Sequence, residues 1–225
     1  MAQGKSEAVR ARRKAAFRVV EREGLPLRER GDEVLMLEHG RGSEAAFGEL
    51  LRRHQKGVLN YLYRMVQNRH IAEELTQEVF MALVRNAERY EPTAKFTTYL
   101  YRIASNVASK EWMRRKRRPK VFSLSTPWGK NKDGSDFKPF EDQLEDDRAC
   151  VLTAFQRGEI SEAVNTALKQ LPEHQREVFV LRRFREMSYE EIAKVTNTPV
   201  GTAKSRVVRA ERALRPLLAR FREYV

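Results

Sequence analysis

The chain has 225 residues, 44 of them Lys or Arg against 31 Asp or Glu, for a formal charge of +13. That length supports one or two domains with real cores, and that charge points to a polyanionic partner, nucleic acid before a membrane surface. The composition excludes membrane insertion, since no apolar run approaches the roughly 20 residues of a span, and the first residues lack the apolar core of a signal peptide.

A cytoplasmic protein is therefore expected. Cys150 is the only cysteine, so no disulfide can form within the chain, and no Cys/His group has zinc-ligand spacing; no metal or cofactor is expected. His39, His54, His70 and His174 are scattered and are expected at the surface.

In chain order, residues 1–31 read as a basic extension, rich in Arg and Lys and poor in large apolar residues, set off by Gly24, Pro26 and Gly31. From Asp32 the pattern is helical. Phe47, Leu50, Leu51, Val58, Leu59, Leu62 and Val66 form one stripe. Ile71, Leu75, Val79 and Leu83 form the next, broadened by Phe80 and Val84. Off the centre of this second stripe lie Glu73, Glu74, Gln77, Glu78 and Arg85. An acidic face in so basic a protein would repel phosphate and suits a protein partner.

Asn86 to Pro92 breaks the pattern, with Tyr90-Glu91-Pro92 as a loop. The following helix has Phe96, Leu100, Ile103 and Val107 inward. Tyr101, Arg102, Ser105, Asn106 and Lys110 are expected outside, Tyr99 nearby, and the run Arg114 to Arg118 closes it. Aromatic rings beside an amide and cations suit single-stranded bases: rings stack, the amide reads base edges, and cations follow the backbone. A helix with buried aromatics and a solvated basic end is the competing reading. Pro119 ends the helix, and residues 119–157 read as a linker with the acidic cluster Glu141, Asp142, Glu145, Asp146 and Asp147.

Ile160, Val164, Ala167, Leu168 and Leu171 restart a helical stripe. Pro172 is expected at the first position of the next helix, with Val178, Leu181 and Phe184 inward. Ser188-Tyr189-Glu190-Glu191 is a capping box that opens a short helix. Thr196-Asn197 breaks it, and Thr198-Pro199 then supplies an N-cap and a first-position proline for another. Two helices across so short a turn match a helix-turn-helix. In the second of them Ala203, Val207, Ala210 and Leu214 share the core side. Lys204, Ser205, Val208, Arg209 and Arg212 lie opposite, a surface suited to base edges and phosphates, and Arg206 falls between.

Four segments together resemble the sigma-70 family of bacterial transcription initiation factors, in its extracytoplasmic-function group: Ala72 to Phe80, Tyr99 to Asn106, Leu171 to Phe179, and Glu191-Ile192-Ala193 with Pro199 to Arg206. The resemblance spans about Asp32 to Arg220. It implies an all-α fold of two helical domains, 32–118 and 158–225, joined by the linker. It implies an alternative sigma factor that binds core RNA polymerase, directs it to specific promoters and promotes strand opening, with no catalytic site of its own.

Glu74, Gln77, Glu78 and Arg85 would dock on the clamp helices of the beta-prime subunit, with the beta flap as a further contact. Tyr90, Lys95, Tyr99, Tyr101, Arg102, Asn106, Lys110, Arg114 and Arg115 would bind the minus-10 element, Asn106 and the loop from Tyr90 to Lys95 reading a flipped-out base. Thr202, Lys204, Ser205, Arg206, Val208, Arg209 and Arg212 would bind the minus-35 element. The linker would thread toward the active cleft and RNA exit channel, and an anti-sigma protein is a partner the resemblance permits. Tyr99 stands where many members have tryptophan, Lys110 where an acidic residue is common, and the first thirty residues have no counterpart.

The alternative is a helix-turn-helix regulator that binds duplex DNA without being a polymerase subunit. A recombinase or nuclease would need a nucleophile or clustered carboxylates. Glu73, Glu74 and Glu78 are the nearest group, with no complementary acidic site.

Overall fold

The computed structural model describes residues 26–117 and 154–219, with side chains in the second stretch from 160 onward. The described residues form eight α-helices and no strand, the all-α class expected. The first four are α1 (Asp32–His39), α2 (Glu44–Val66), α3 (Arg69–Arg85) and α4 (Phe96–Arg117). After the linker come α5 (Ala154–Lys169), α6 (Glu173–Phe184), α7 (Tyr189–Thr196) and α8 (Val200–Leu217). Residues 1–25 of the expected extension, residue 118 at the end of the expected first domain, 119–153 of the expected linker and 220–225 of the expected second domain lie outside the described residues. The last four expected linker residues, 154–157, are the first turn of α5.

In the first half, side chains fix where helices begin. Ser43 accepts a hydrogen bond from the Ala46 N–H to open α2, and Asn68 accepts one from Ile71 to open α3. The first free amide of α4 is met from far away in sequence: Phe96 N–H donates to the Glu33 carboxylate at 2.7 Å. Leu35, Met36, Leu50, Leu62, Met65, Val79, Leu83 and Leu100 then fill one core. Gly40 closes α1 against the backbone at Ala87, where an added Cβ would lie 2.7 Å from the carbonyl oxygen.

Arg53 ties the segment before α1 onto α2. Its guanidinium donates to the carbonyls of Leu27, Arg28 and Arg30 and to Asp32, while its Nε holds Glu49. Hydrogen bonds from Arg52 and then Arg53 hold the Glu49 carboxyl down at about 2. Residues 27–30 are thus anchored rather than part of a solvated tail.

In the second half, Leu168, Leu171, Val178, Leu181, Ile192, Val195, Ala203, Val207, Ala210 and Leu214 make the core. The capping box at Ser188 is fully formed, Glu191 N–H to Ser188 Oγ at 3.2 Å and Ser188 N–H to the Glu191 carboxylate at 2.8 Å. Asn197 stops α7 in the left-handed region (φ 49°, ψ 48°), which Asn tolerates, and three residues later α8 begins. Ser188→Ala should cost about 1 kcal/mol of stability, measured as a lower urea midpoint at unchanged slope. An unmoved midpoint would show that the cap contributes nothing.

Several sequence expectations are corrected. Pro172 and Pro199 are N-caps, not first helical residues, because their ψ angles of 142° and 146° are extended, and Thr198 instead bonds the Thr196 hydroxyl at 2.9 Å. Val84 is 40% exposed, because the apolar arc of α3 is narrower than its sequence stripe. The helical run from Asp32 breaks at Gly40 to Ser43, where Gly42 has φ 101°. His54 is enclosed and pairs with Asp32 at 2.8 Å. His39 is half-buried and stacks on Phe47 at 4.7 Å.

Candidate nucleic-acid and polymerase interfaces

The outer face of α8 is a cationic strip. Lys204, Ser205, Val208, Arg209 and Arg212 are exposed, and Thr202 and Arg206 are half-buried at its edges. Beneath them Ala203, Val207, Ala210 and Leu214 are buried, so the helix is fixed to its module with the strip outward. Arg206 lies close enough to the buried Glu177 carboxylate to favour its charged form, so only part of its charge faces outward.

On α4 a second strip runs along solvent. Arg102, Asn106, Lys110 and Arg114 are spaced by four and all exposed, which places an amide between cations along roughly 18 Å of one helix face. Tyr99 is half-buried against Tyr90, ring centroids 5.1 Å apart.

Other residues expected in this strip have different surroundings. Tyr90 is 3% exposed, packed edge-on against Phe96, and burial raises its phenol's pKa. Tyr101 and Ser105, expected outside the helix's inner stripe, are buried: Tyr101 packs edge-on against Tyr61 of α2 with Arg185 5.3 Å from its ring, and the Ser105 hydroxyl donates to Glu177 of α6. Burial pushes the Tyr101 phenol up to about 12, against the opposing charges of Arg185 and Arg64. Arg114 and Arg115 both bond the buried Glu111 carboxylate, at 2.6 and 2.8 Å, and Arg115 also donates to the Val66 carbonyl at 2.9 Å. Arg115 therefore pins α4 to the end of α2, with less charge left for a phosphate. Lys95 is tied to Glu191 at 2.9 Å.

The third surface is on α3. Glu74, Gln77, Glu78 and Arg85 are all exposed on it, and Met81 and Val84 stand among them at 54% and 40% exposure. Exposed apolar side chains inside a charged rim are the surface chemistry that protein partners use. Met81 falls off the Ile71-Leu75-Val79-Leu83 stripe, and an exposed side chain leaves no periodic signal, so the sequence assigns it no place.

A junction joins the halves. Glu177 of α6 is 7% exposed and accepts from the Tyr61 hydroxyl of α2 at 3.3 Å and from the Ser105 hydroxyl of α4. Burial pushes its carboxyl up, partly offset by those two hydroxyls and by Arg206. Arg176 donates to the Met65 carbonyl at the end of α2 and also to the carbonyls of Leu168, Lys169 and Leu171. Arg64 lies over the Phe184 ring at 3.9 Å, Arg185 lies 5.3 Å from the Tyr101 ring, and Lys116 pairs with Glu173 at 2.9 Å. None of these cross-contacts was legible in the sequence, whose reading treated the halves separately.

Two helical modules, one presenting a helix-turn-helix with a cationic outer face and the other an exposed acidic and apolar surface beside a basic helix, have the architecture of a DNA-binding transcription protein. The sigma-70 region 2 family model matches residues 50–118, and the sigma-70 region 4 model matches residues 161–214. The chain is 34% identical over 192 residues to the RNA polymerase sigma-H factor of Pseudomonas aeruginosa, covering 83% of this chain and 95% of that one. It is 30% identical over 178 residues to the extracytoplasmic-function sigma factor SigW of Bacillus subtilis, covering 79% and 91%. In fold it is similar to the sigma factor RpoE of Bartonella quintana, solved with the anti-sigma factor NepR, at a TM-score of 0.56 and 23% identity over 77% of this chain and 96% of that one. The chain belongs to the sigma-70 family, in its extracytoplasmic-function group, and is an alternative sigma factor that directs RNA polymerase to promoters.

Proposed function

We propose a division of labour among the three surfaces. Residues 32–118 form the module that docks on core polymerase and opens the minus-10 element; residues 158–225 form the module that anchors the minus-35 element. The observation that carries this reading is the segregation of charge: the exposed cations of α4 and α8 lie on different modules, while α3 offers an acidic rim around Met81 and Val84 that would repel DNA.

Glu74, Gln77, Glu78 and Arg85, with Met81, meet the clamp helices of the beta-prime subunit, and the second module meets the beta flap. Arg102, Asn106 and Lys110 hold the displaced strand, with Tyr99 as the stacking ring. Lys204, Ser205 and Arg209 read the upstream duplex, with Thr202, Arg206, Val208 and Arg212 around them. The linker, residues 119–157, follows the RNA path. The protein works in the cytoplasm without a catalytic site of its own, and its structural likeness to a sigma factor solved with an anti-sigma factor supports restraint by such a partner.

Arg209→Ala tests the upstream assignment. Measured by footprinting of the holoenzyme on matched and mismatched upstream elements, discrimination should fall by about 1–3 kcal/mol. An equal loss on every sequence would make Arg209 a phosphate contact and remove it from the reading set.

A further inference from the structure

We propose that the basic N-terminal extension, together with exposed cations of α2 at its root, is a fourth interaction surface, one that grips the phosphate backbone of promoter DNA beside the minus-10 element. The inference rests on the assignment of α4 to that element and adds a surface to it.

None of the three surfaces described above uses these cations. Residues 1–25 lie outside the described residues, and their charge is read from the sequence. Arg10, Arg12, Arg13, Lys14 and Arg18 stand there with no acidic residue between Glu7 and Glu21. Among the described residues, Arg28, Arg52 and Lys56 are exposed where the extension joins the fold. Arg52 and Lys56 are four positions apart and share one face of α2. Arg52 also bonds the Glu49 carboxylate, at 2.7 and 2.8 Å, so it brings less net charge than Lys56.

The root of the extension is fixed, and it is fixed at the entrance of α4. Arg53 donates to the carbonyls of Leu27, Arg28 and Arg30, and the same guanidinium holds one Asp32 carboxylate oxygen at 2.7 Å. The other oxygen of Asp32 pairs with His54, whose ring lies 5.3 Å from that of Phe96, the first residue of α4. Beside it Glu33 accepts the Phe96 N–H. Residues 27–33 therefore sit against the first turn of the helix that carries Arg102, Asn106 and Lys110. A solvated tail needs no such root. Pinning one end confines the cations to a limited volume around it, which raises their effective concentration at anything bound along α4.

Reach and chemistry both select DNA. Arg18, eight residues before Pro26, lies at most about 28 Å from it, and Arg10, sixteen residues before, at most about 56 Å. Those limits correspond to roughly eight and sixteen base pairs at 3.4 Å each, enough to follow DNA out of the minus-10 element and short of the minus-35 element roughly 25 pairs away. Between Glu7 and Glu21 the sequence has no amide or hydroxyl side chain, so the segment offers charge without a base-reading set. The like-signed strip on α4 beside the root would repel a basic partner and continues the same track for an anionic one.

The test uses the full chain bound to core polymerase on a promoter fragment mapped by run-off transcription. With Cys150→Ser, and Ala15→Cys carrying a photoreactive crosslinker, crosslinks should fall on DNA flanking the minus-10 element. Replacing Arg10, Arg12, Arg13, Lys14 and Arg18 together by Gln should make the log–log salt dependence of promoter binding shallower by about four, since each neutralised phosphate contributes about 0.7–0.9. Arg28→Gln with Lys56→Gln should make it shallower by about one and a half. Both effects should be equal on matched and mismatched promoter sequences, and affinity for core polymerase without DNA should not move. An unchanged salt slope in the variant lacking the five cations overturns the proposal. So do crosslinks confined to polymerase or to α3, which would make the extension a protein contact, and loss of binding to anionic phospholipid vesicles at an unchanged slope on DNA, which would assign it to a membrane surface. Failure of the α4 assignment shows separately, as normal strand opening by Asn106→Ala.

Discussion

Replacing Glu78 by Arg together with Gln77 by Ala should weaken binding to core RNA polymerase by about 2 kcal/mol, roughly a thirtyfold loss, with the melting curve of the free protein unchanged. Both side chains are exposed on α3, whose packing side is supplied by Leu75, Val79, Phe80 and Leu83, so the substitutions leave the core intact. What changes is a rim charge beside Met81. A basic partner surface would then face a like charge, and like-charge pairing at an interface costs several kcal/mol when desolvated. The measurement is a titration of labelled protein with core enzyme at two salt concentrations. Unchanged affinity at both would remove α3 from the interface and favour a duplex-binding regulator that never meets polymerase.

The second large effect is expected at Asn106. Asn106→Ala should leave the closed promoter complex formed but reduce permanganate reactivity near the start site by about ten- to a hundredfold. Extruding a base costs a few kcal/mol of stacking, and a pocket must return that in contacts. An amide is the one side chain of the α4 strip that can both donate to and accept from a base edge; its neighbours at one turn on either side, Arg102 and Lys110, only donate. A bidentate amide–base pair is worth roughly 1–3 kcal/mol of discrimination. Wild-type reactivity in the variant would show that strand capture lies elsewhere on the module.

The two surfaces at stake in these predictions were legible in the sequence for the same reason: their side chains never leave solvent. Glu78 on α3 and Asn106 on α4 are exposed as helical spacing predicts, because each lies off the apolar stripe of its helix. Spacing fails where a helix has two buried sides. On α4, Leu100, Ala104 and Val107 are buried on the expected side, whereas Tyr101 is enclosed between Tyr61 of the first module and Arg185 of the second, and Ser105 bonds Glu177 of the second; a single sequence carries no mark of that second face. Arg115 shows the same limit from the side of charge. A basic run reads as phosphate-binding until Glu111, four residues earlier, is seen to be buried beneath it. The helix-turn-helix, by contrast, is written locally. Ser188 with Glu191 starts α7 and Asn197 ends it through contacts spanning at most four residues, so its position needed no tertiary information.

The most direct test of the account is run-off transcription from genomic fragments with purified core polymerase, with and without this protein, scored by transcript start sites. The account predicts discrete transcripts that depend on the protein and are lost with either Asn106→Ala or the Glu78 and Gln77 double variant, since docking and strand opening are both required. No protein-dependent transcript and no stable complex with core enzyme, from a chain that still retards duplex DNA through α8, would contradict it.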